Sequence, residues 1–208
     1  MNRIIKWIKG LLRVERVLFA DLDGTIIVTK SGKTFSENCD DWQFKKGIIE
    51  AIEYYNPTHL HIVSNQGGIE KGFVDKDAFF WKMNKIQDQL AKALPKTRVT
   101  YDYCTSNDPN DDRRKPNCGM IDFYCTDDYN NTDCLKRNCL MIGDASGKQG
   151  QFSDSDKKCA ENAQIKYVDV DDFIEDQLDR KEPCRICRRH NLPCHAGEYE
   201  FESMLPCS

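Results

Sequence analysis

The sequence predicts an α/β fold, a Rossmann-like doubly wound parallel sheet with helices on both faces. Short apolar runs alternate with segments of helical period along residues 17–180, as the strand–helix–strand units of a parallel sheet require. Most of these runs end on a polar cluster. That places the clusters beyond the carboxyl ends of the strands, where ligands bind in such sheets.

Val17-Leu-Phe-Ala20 reads as the first buried strand and ends on Asp21-Leu-Asp23-Gly-Thr25. A polar loop rich in Lys, Ser and Gly follows, then a helical segment from about Lys45 to Tyr55. His59-Leu-His-Ile-Val63 is the second strand, ending on Ser64-Asn-Gln-Gly-Gly68, and a helix from about Lys76 to Leu94 closes before Pro95. Arg98-Val-Thr-Tyr-Asp-Tyr103 is the third strand, Cys139-Leu-Met-Ile142 the fourth, ending on Gly143-Asp144, and Gln164-Ile-Lys-Tyr-Val168 the fifth. An acidic helix near Asp171–Arg180 completes the pattern. Fewer than forty residues separate the first two polar clusters, so no large cap is expected over the site.

Both ends differ from this core, giving an expected organisation of 1–16, 17–180 and 181–208. Residues 1–16 carry a net charge of +4 in a chain whose total is −4. There Ile4, Trp7, Ile8, Leu11 and Leu12 recur at helical spacing, with Gly10 weakening the helix. The segment reads either as a leading helix packed on the domain or as an interfacial helix or basic nucleic-acid arm. At the other end Cys184, Cys187, His190, Cys194 and His195 offer five ligands. A Cys-x-x-Cys start is the usual first half of a tetrahedral site, so a structural Zn²⁺ is expected; the alternative is an unstructured tail with spare thiols. Arg185, Arg188 and Arg189 interleave with these ligands and would present positive charge to a phosphate backbone.

Charged residues at 31% and hydrophobic ones at 39% indicate a globular composition rather than a disordered one. The net charge of −4 argues against a surface coated in basic charge, though a local basic groove remains compatible. An odd count of eleven cysteines, with no apolar signal sequence in front, fits a reduced cytoplasmic protein. No apolar run approaches the ~18–20 residues of a transmembrane segment.

Two carboxylates one residue apart after a strand could close a turn or bind a cation without reaction. Their company points to phosphoryl transfer. Ser64 follows the second strand, Lys115 lies in Arg114-Lys-Pro116 after the third, and Asp144 follows the fourth. A carboxylate can attack phosphorus, a second can move the leaving-group proton, and a divalent metal with a cationic side chain can offset phosphate charge.

This order of motifs resembles the haloacid dehalogenase superfamily over about residues 17–175. The resemblance implies Asp21 as nucleophile, Asp23 as general acid/base and Thr25 as the residue supporting their loop. It implies Ser64 and Lys115 as the phosphoryl-holding hydroxyl and ammonium, and Asp21, the carbonyl of Asp23 and Asp144 as Mg²⁺ ligands. Ser64, Asn65, Arg114 and Lys148 make the expected substrate-binding set. An acid/base Asp at position 23 goes with phosphatases in this superfamily.

Two branches are similar here, the histidinol-phosphate and heptose-bisphosphate phosphatases and the polynucleotide kinase 3′-phosphatases. The first usually has a zinc loop before Arg-Lys-Pro, of which only Cys104 is present, and one thiolate cannot make such a site. Gly143-Asp-Ala-Ser-Gly-Lys148 resembles the second, with Lys148 in place of an arginine, as does Asp156-Lys-Lys-Cys-Ala-Glu161. Asp156 is then either an extra acidic residue near the metal or a solvated helix-start carboxylate. The expected function is hydrolysis of a phosphomonoester, foremost the 3′-phosphate of a nucleic-acid end. A small sugar or histidinol-type phosphatase, and a non-catalytic binding module, are the alternatives. Gly32-Lys-Thr34 looks like the end of a kinase phosphate loop, but Ile27 stands where its first glycine belongs, so it reads as a turn.

Overall fold

The computed structural model describes residues 15–34, 36–126 and 136–181. Residues 1–14 and the Cys184–His195 cluster, with the expectations made for them, lie outside the described residues. Five parallel strands form the main sheet: β1 (Val17–Ala20), β4 (His59–Asn65), β5 (Arg98–Cys104), β6 (Cys139–Gly143) and β7 (Lys166–Asp169). Their spatial order is β5-β4-β1-β6-β7. The chain moves outward from β1 through β4 to β5, then returns to the other side of β1 for β6. The order therefore reverses beside β1, where a crevice opens at the carboxyl edge of such sheets.

Alternation along β1 sorts the core into two layers, because successive strand side chains point to opposite faces. Leu18 and Ala20 pack with helices α1 (Ile48–Tyr55), α3 (Lys76–Ala93) and α6 (Val170–Lys181). Val17 and Phe19 pack with α4 (Gly119–Tyr124) and α5 (Ser155–Asn162). Helix α3 begins where Asp75 accepts a hydrogen bond from the Ala78 N–H at 2.8 Å, an N-cap that satisfies an otherwise orphaned donor. Phe79, Met83, Ile86 and Leu90 then make its buried stripe.

Several details differ from the sequence expectations. The polar loop after the first acidic cluster contains a small antiparallel pair, β2 (Ile27–Val28) with β3 (Gln43–Phe44). Strand β4 continues through Asn65, so Ser64 pairs with Tyr103 inside the ladder rather than following the strand. Strand β7 starts at Lys166, because Gln164 takes the left-handed φ of +58°. Among the described residues, the elements between β1 and β4 are the β2–β3 pair and α1. Among the described residues no helix is long and apolar enough to cross a membrane. Cys104, Cys139 and Cys159 are buried in the core.

Candidate active site

Asp21 is the first residue beyond β1, and its N–H continues the ladder to the carbonyl of Ile142 at 3.1 Å. Leu22 turns into the core, so the flanking Asp21 and Asp23 stay at the sheet edge. The turn is closed by the Ile26 N–H on the Leu22 carbonyl and the Gly24 N–H on the Ile27 carbonyl, at 3.0 and 2.7 Å. Gly24 sits at φ +86°, and a Cβ there would come within 2.1 Å of an Asp144 carboxylate oxygen. Gly143 has the same constraint, its Cβ meeting Asp156 Oδ2 at 2.3 Å. Both positions need glycine because carboxylates crowd against the backbone. Thr25 is fully buried, and its hydroxyl has no hydrogen-bond partner among the described residues, so its support for the loop is packing.

Lys115 enters this edge from the loop after β5. Its Nζ lies 2.5 Å from Asp21 Oδ1 and 2.7 Å from Asp156 Oδ1, and it donates to the Val63 carbonyl at 2.9 Å. Asn65 fixes the loop by accepting from the Lys115 N–H at 2.9 Å and donating to the Lys115 carbonyl at 2.8 Å. The ammonium is buried. Burial alone would lower its pKa, but the Asp156 and Asp21 charges raise it above the ordinary lysine range. Burial lifts the Asp21 carboxyl, against the pull of Lys115, and it lifts Asp144 with help from the Asp156 charge.

Asp21, Asp144 and Asp156 each offer a ligand oxygen, and these atoms lie within 4.8 Å of one another. Three carboxylates facing one ammonium leave uncompensated negative charge. An all-oxygen, all-carboxylate set is the donor chemistry of a hard divalent cation, so the residues present fit Mg²⁺. Asp156 is thus buried in the cluster rather than solvated at its helix start, and its Oδ2 accepts from the Ala145 N–H at 3.2 Å.

Asp23 is more open. The Gln66 amide donates to Asp23 Oδ2 and to Ser64 Oγ, both at 2.8 Å, tying the β1 and β4 ends together. Lys82, on α3, brings its ammonium within 3.6 Å of Asp23 Oδ1 although the residue is buried. Gln66 and Lys82 were not singled out from sequence. Lys82 carried a readable signal, falling three residues after Phe79 and four before Ile86, inside the apolar stripe.

Two expected residues are engaged elsewhere. Lys148 is held by Asp172 at 2.7 Å and Asp169 at 3.3 Å, on the β7 side of the sheet. Arg114 donates to the Ser106 carbonyl at 2.6 Å and braces its own loop. That loop is closed by hydrogen bonds, with the Asn117 amide donating to the carbonyls of Pro109 and Asp111 at 2.9 and 2.8 Å. Its cysteine, Cys104, points into the core.

A model of the family described as "Polynucleotide kinase 3 phosphatase" matches residues 16–174. The bifunctional polynucleotide phosphatase/kinase of Schizosaccharomyces pombe is 30% identical over 167 residues, 79% of this chain and 38% of that protein. The chain therefore spans well under half of that relative's length. The polynucleotide 3′-phosphatase of Saccharomyces cerevisiae is 31% identical over 195 residues, covering 71% of this chain and 82% of the relative. Among solved structures, the D,D-heptose 1,7-bisphosphate phosphatase of B. bronchiseptica, complexed with magnesium and phosphate, superposes with a TM-score of 0.54 at 18% identity. It covers 79% of this chain and 98% of that one, a likeness of fold.

Proposed function

The chain belongs to the polynucleotide kinase 3 phosphatase family, and from that membership we propose that it removes the 3′-phosphate of a nucleic-acid end through an aspartyl phosphate on Asp21, with Mg²⁺. The phosphatase class rests on the family and its relatives. The observation that supports this chemistry best is the convergence of Asp21, Lys115, Asp144 and Asp156 where the strand order reverses.

In this reading an Asp21 carboxylate oxygen forms a bond to phosphorus as the bond to the nucleoside 3′ oxygen breaks. Asp23 gives its proton to that leaving oxygen, then takes one from the water that attacks the aspartyl phosphate. Phosphate leaves and the Asp21 carboxylate is restored. The Ser64 hydroxyl and the Lys115 ammonium hold the phosphoryl oxygens, while Asn65 and Gln66 keep these groups in place. Magnesium held by Asp21, the Asp23 carbonyl, Asp144 and Asp156 would neutralise charge on the phosphoryl group and its transition state. The magnesium and phosphate bound by the heptose bisphosphate phosphatase of like fold support that assignment.

That neighbour also favours a second reading, a small sugar phosphate as substrate. The hydrogen-bonded loop around Cys104–Asn117 lacks the ligands that the zinc loop of the sugar-phosphate branch uses, which favours the nucleic-acid reading. The Cys184–His195 cluster is proposed as a structural zinc site on a separate C-terminal segment. The test is a comparison of kcat/KM for a 3′-phosphorylated oligonucleotide, histidinol phosphate and a heptose bisphosphate at low and moderate salt. The oligonucleotide should be preferred, less so as salt rises. A better rate on either small phosphate would overturn the assignment.

A further inference from the structure

A lysine inside the buried stripe of a helix costs stability unless its charge meets a partner. Lys82 stands in such a stripe on α3, between Phe79 and Ile86 and next to Met83, with only 9% of its side chain exposed. Its stem lies buried, and its ammonium emerges at the catalytic edge, 3.6 Å from Asp23 Oδ1. Among the described residues its ion partner is Asp23 alone. For the fold, an apolar side chain of similar volume would serve as well or better. The charge is accounted for by the residue it faces.

The backbone of Asp23 is fixed by its turn, where it bridges to Ile27, but 54% of the side chain is exposed. An exposed carboxylate with nothing to hold it samples several rotamers. Here each oxygen meets one group: the Gln66 amide donates to Oδ2 at 2.8 Å, and Lys82 faces Oδ1. Each oxygen keeps a further lone pair, so these contacts leave room for the proton that Asp23 would deliver. Lys115 faces Asp21 and Asp156 instead. The two ammoniums thus divide the site, Lys115 with the nucleophile and Lys82 with the acid.

We propose that Lys82 is a positioning residue that holds the Asp23 carboxyl toward the leaving-group oxygen. This rests on Asp23 as the general acid of the mechanism above, whichever alcohol leaves. In that step the Asp23 O–H bond breaks as the proton bonds to the departing oxygen, and the Asp21 oxygen bonds to phosphorus as the ester bond breaks. Lys82 exchanges no proton and acts only through where it keeps Asp23. Its effect is therefore greatest for a leaving oxygen that must be protonated, such as a nucleoside alkoxide. It is small for p-nitrophenolate, which departs without a proton.

The experiment compares a 3′-phosphorylated oligonucleotide with p-nitrophenyl phosphate in wild type, Lys82→Met, Lys82→Arg, Asp23→Asn and the Lys82→Met/Asp23→Asn double variant. The readout is kcat/KM, which covers only the steps through departure of the alcohol. Lys82→Met should lose on the order of tenfold on the oligonucleotide, part of the ~10²–10⁴-fold that an acid contributes, and on the order of twofold on p-nitrophenyl phosphate. The second rate also reports that the variant is folded. Lys82→Arg, which keeps the charge, should recover most of the loss. In the Asp23→Asn background Lys82→Met should add less than about twofold, because nothing is left to position. Equal losses on the two esters in Lys82→Met, or an added loss on the order of tenfold in the double variant, overturn the positioning role. Equal losses on the two esters in Asp23→Asn overturn the acid role of Asp23, and with it the mechanism proposed above.

Discussion

Replacing Lys115 with methionine keeps most of the side-chain volume and removes one charge from between two buried carboxylates. In the native site the ammonium lies 2.5 Å from Asp21 and 2.7 Å from Asp156, and all three residues are buried. Without it the two buried carboxylates face each other with no cation between them. Breaking a buried pair by removing one partner costs ~3–5 kcal/mol, because the remaining charge is left uncompensated. For a domain of this size each kcal/mol moves Tm by about 2–4 °C, so the variant should melt roughly 6–20 °C lower in EDTA at pH 7. Adding Mg²⁺ should recover part of the loss, since a divalent cation among Asp21, Asp144 and Asp156 replaces the missing charge. Differential scanning calorimetry with and without Mg²⁺ measures both effects. A shift within about 2 °C in EDTA would mean that Lys115 does not offset the cluster's charge as the geometry implies.

Asp23→Asn should lower kcat on an oligonucleotide 3′-phosphate by ~10²–10⁴-fold, the usual contribution of general acid/base catalysis; steady-state kinetics decide it. His61 should make the fold acid-sensitive. Burial against Phe19 and Tyr124 pulls its imidazole from 6.5 down to about 3. The folded value lies below the unfolded one, so this stability is complete above pH 6.5 and is lost as pH falls toward 3. At pH 4.5 the loss is roughly 2–3 kcal/mol, and His61→Gln, which can still reach Thr100, should abolish that increment in denaturant melts. Elemental analysis should find about one zinc per chain, lost when Cys184 and Cys187 are both changed to Ser. Zinc that is absent from wild type, or unmoved by those changes, removes the proposed tail site.

The sheet was legible because its strands are short apolar runs that stop abruptly on carboxylates or small polar residues. Val17–Ala20 before Asp21 and Cys139–Ile142 before Gly143-Asp144 both became parallel strands of the main sheet, side by side. The β2–β3 pair was hidden, since two residues per strand leave no alternation to read. Motif order picks out Asp21, Ser64, Lys115 and Asp144, and the fold brings them to one sheet edge. The sequence leaves Asp156 open to two readings, because aspartate at a helix start looks the same whether it faces water or a buried ammonium. Lys82 passed as another lysine on a Lys-rich helix, although its place in the apolar stripe marked it as buried. The ion pairs of Lys148 are hidden in the sequence for a related reason. A motif position gives no account of Asp169 and Asp172, which arrive from β7 and α6 and take its charge.

The central claim is that Asp21 carries the phosphoryl group during turnover of a nucleic-acid 3′ end. Acid quenching of the enzyme during steady-state turnover of an oligonucleotide bearing a radiolabelled 3′-phosphate tests it most directly. The label should appear on the protein in an acid-stable, hydroxylamine-labile form, as an acyl phosphate would, and peptide mapping should place it on Asp21. Asp21→Asn protein should carry none and release no phosphate. Phosphate release at a normal rate from Asp21→Asn, or label on another residue, would contradict the assignment.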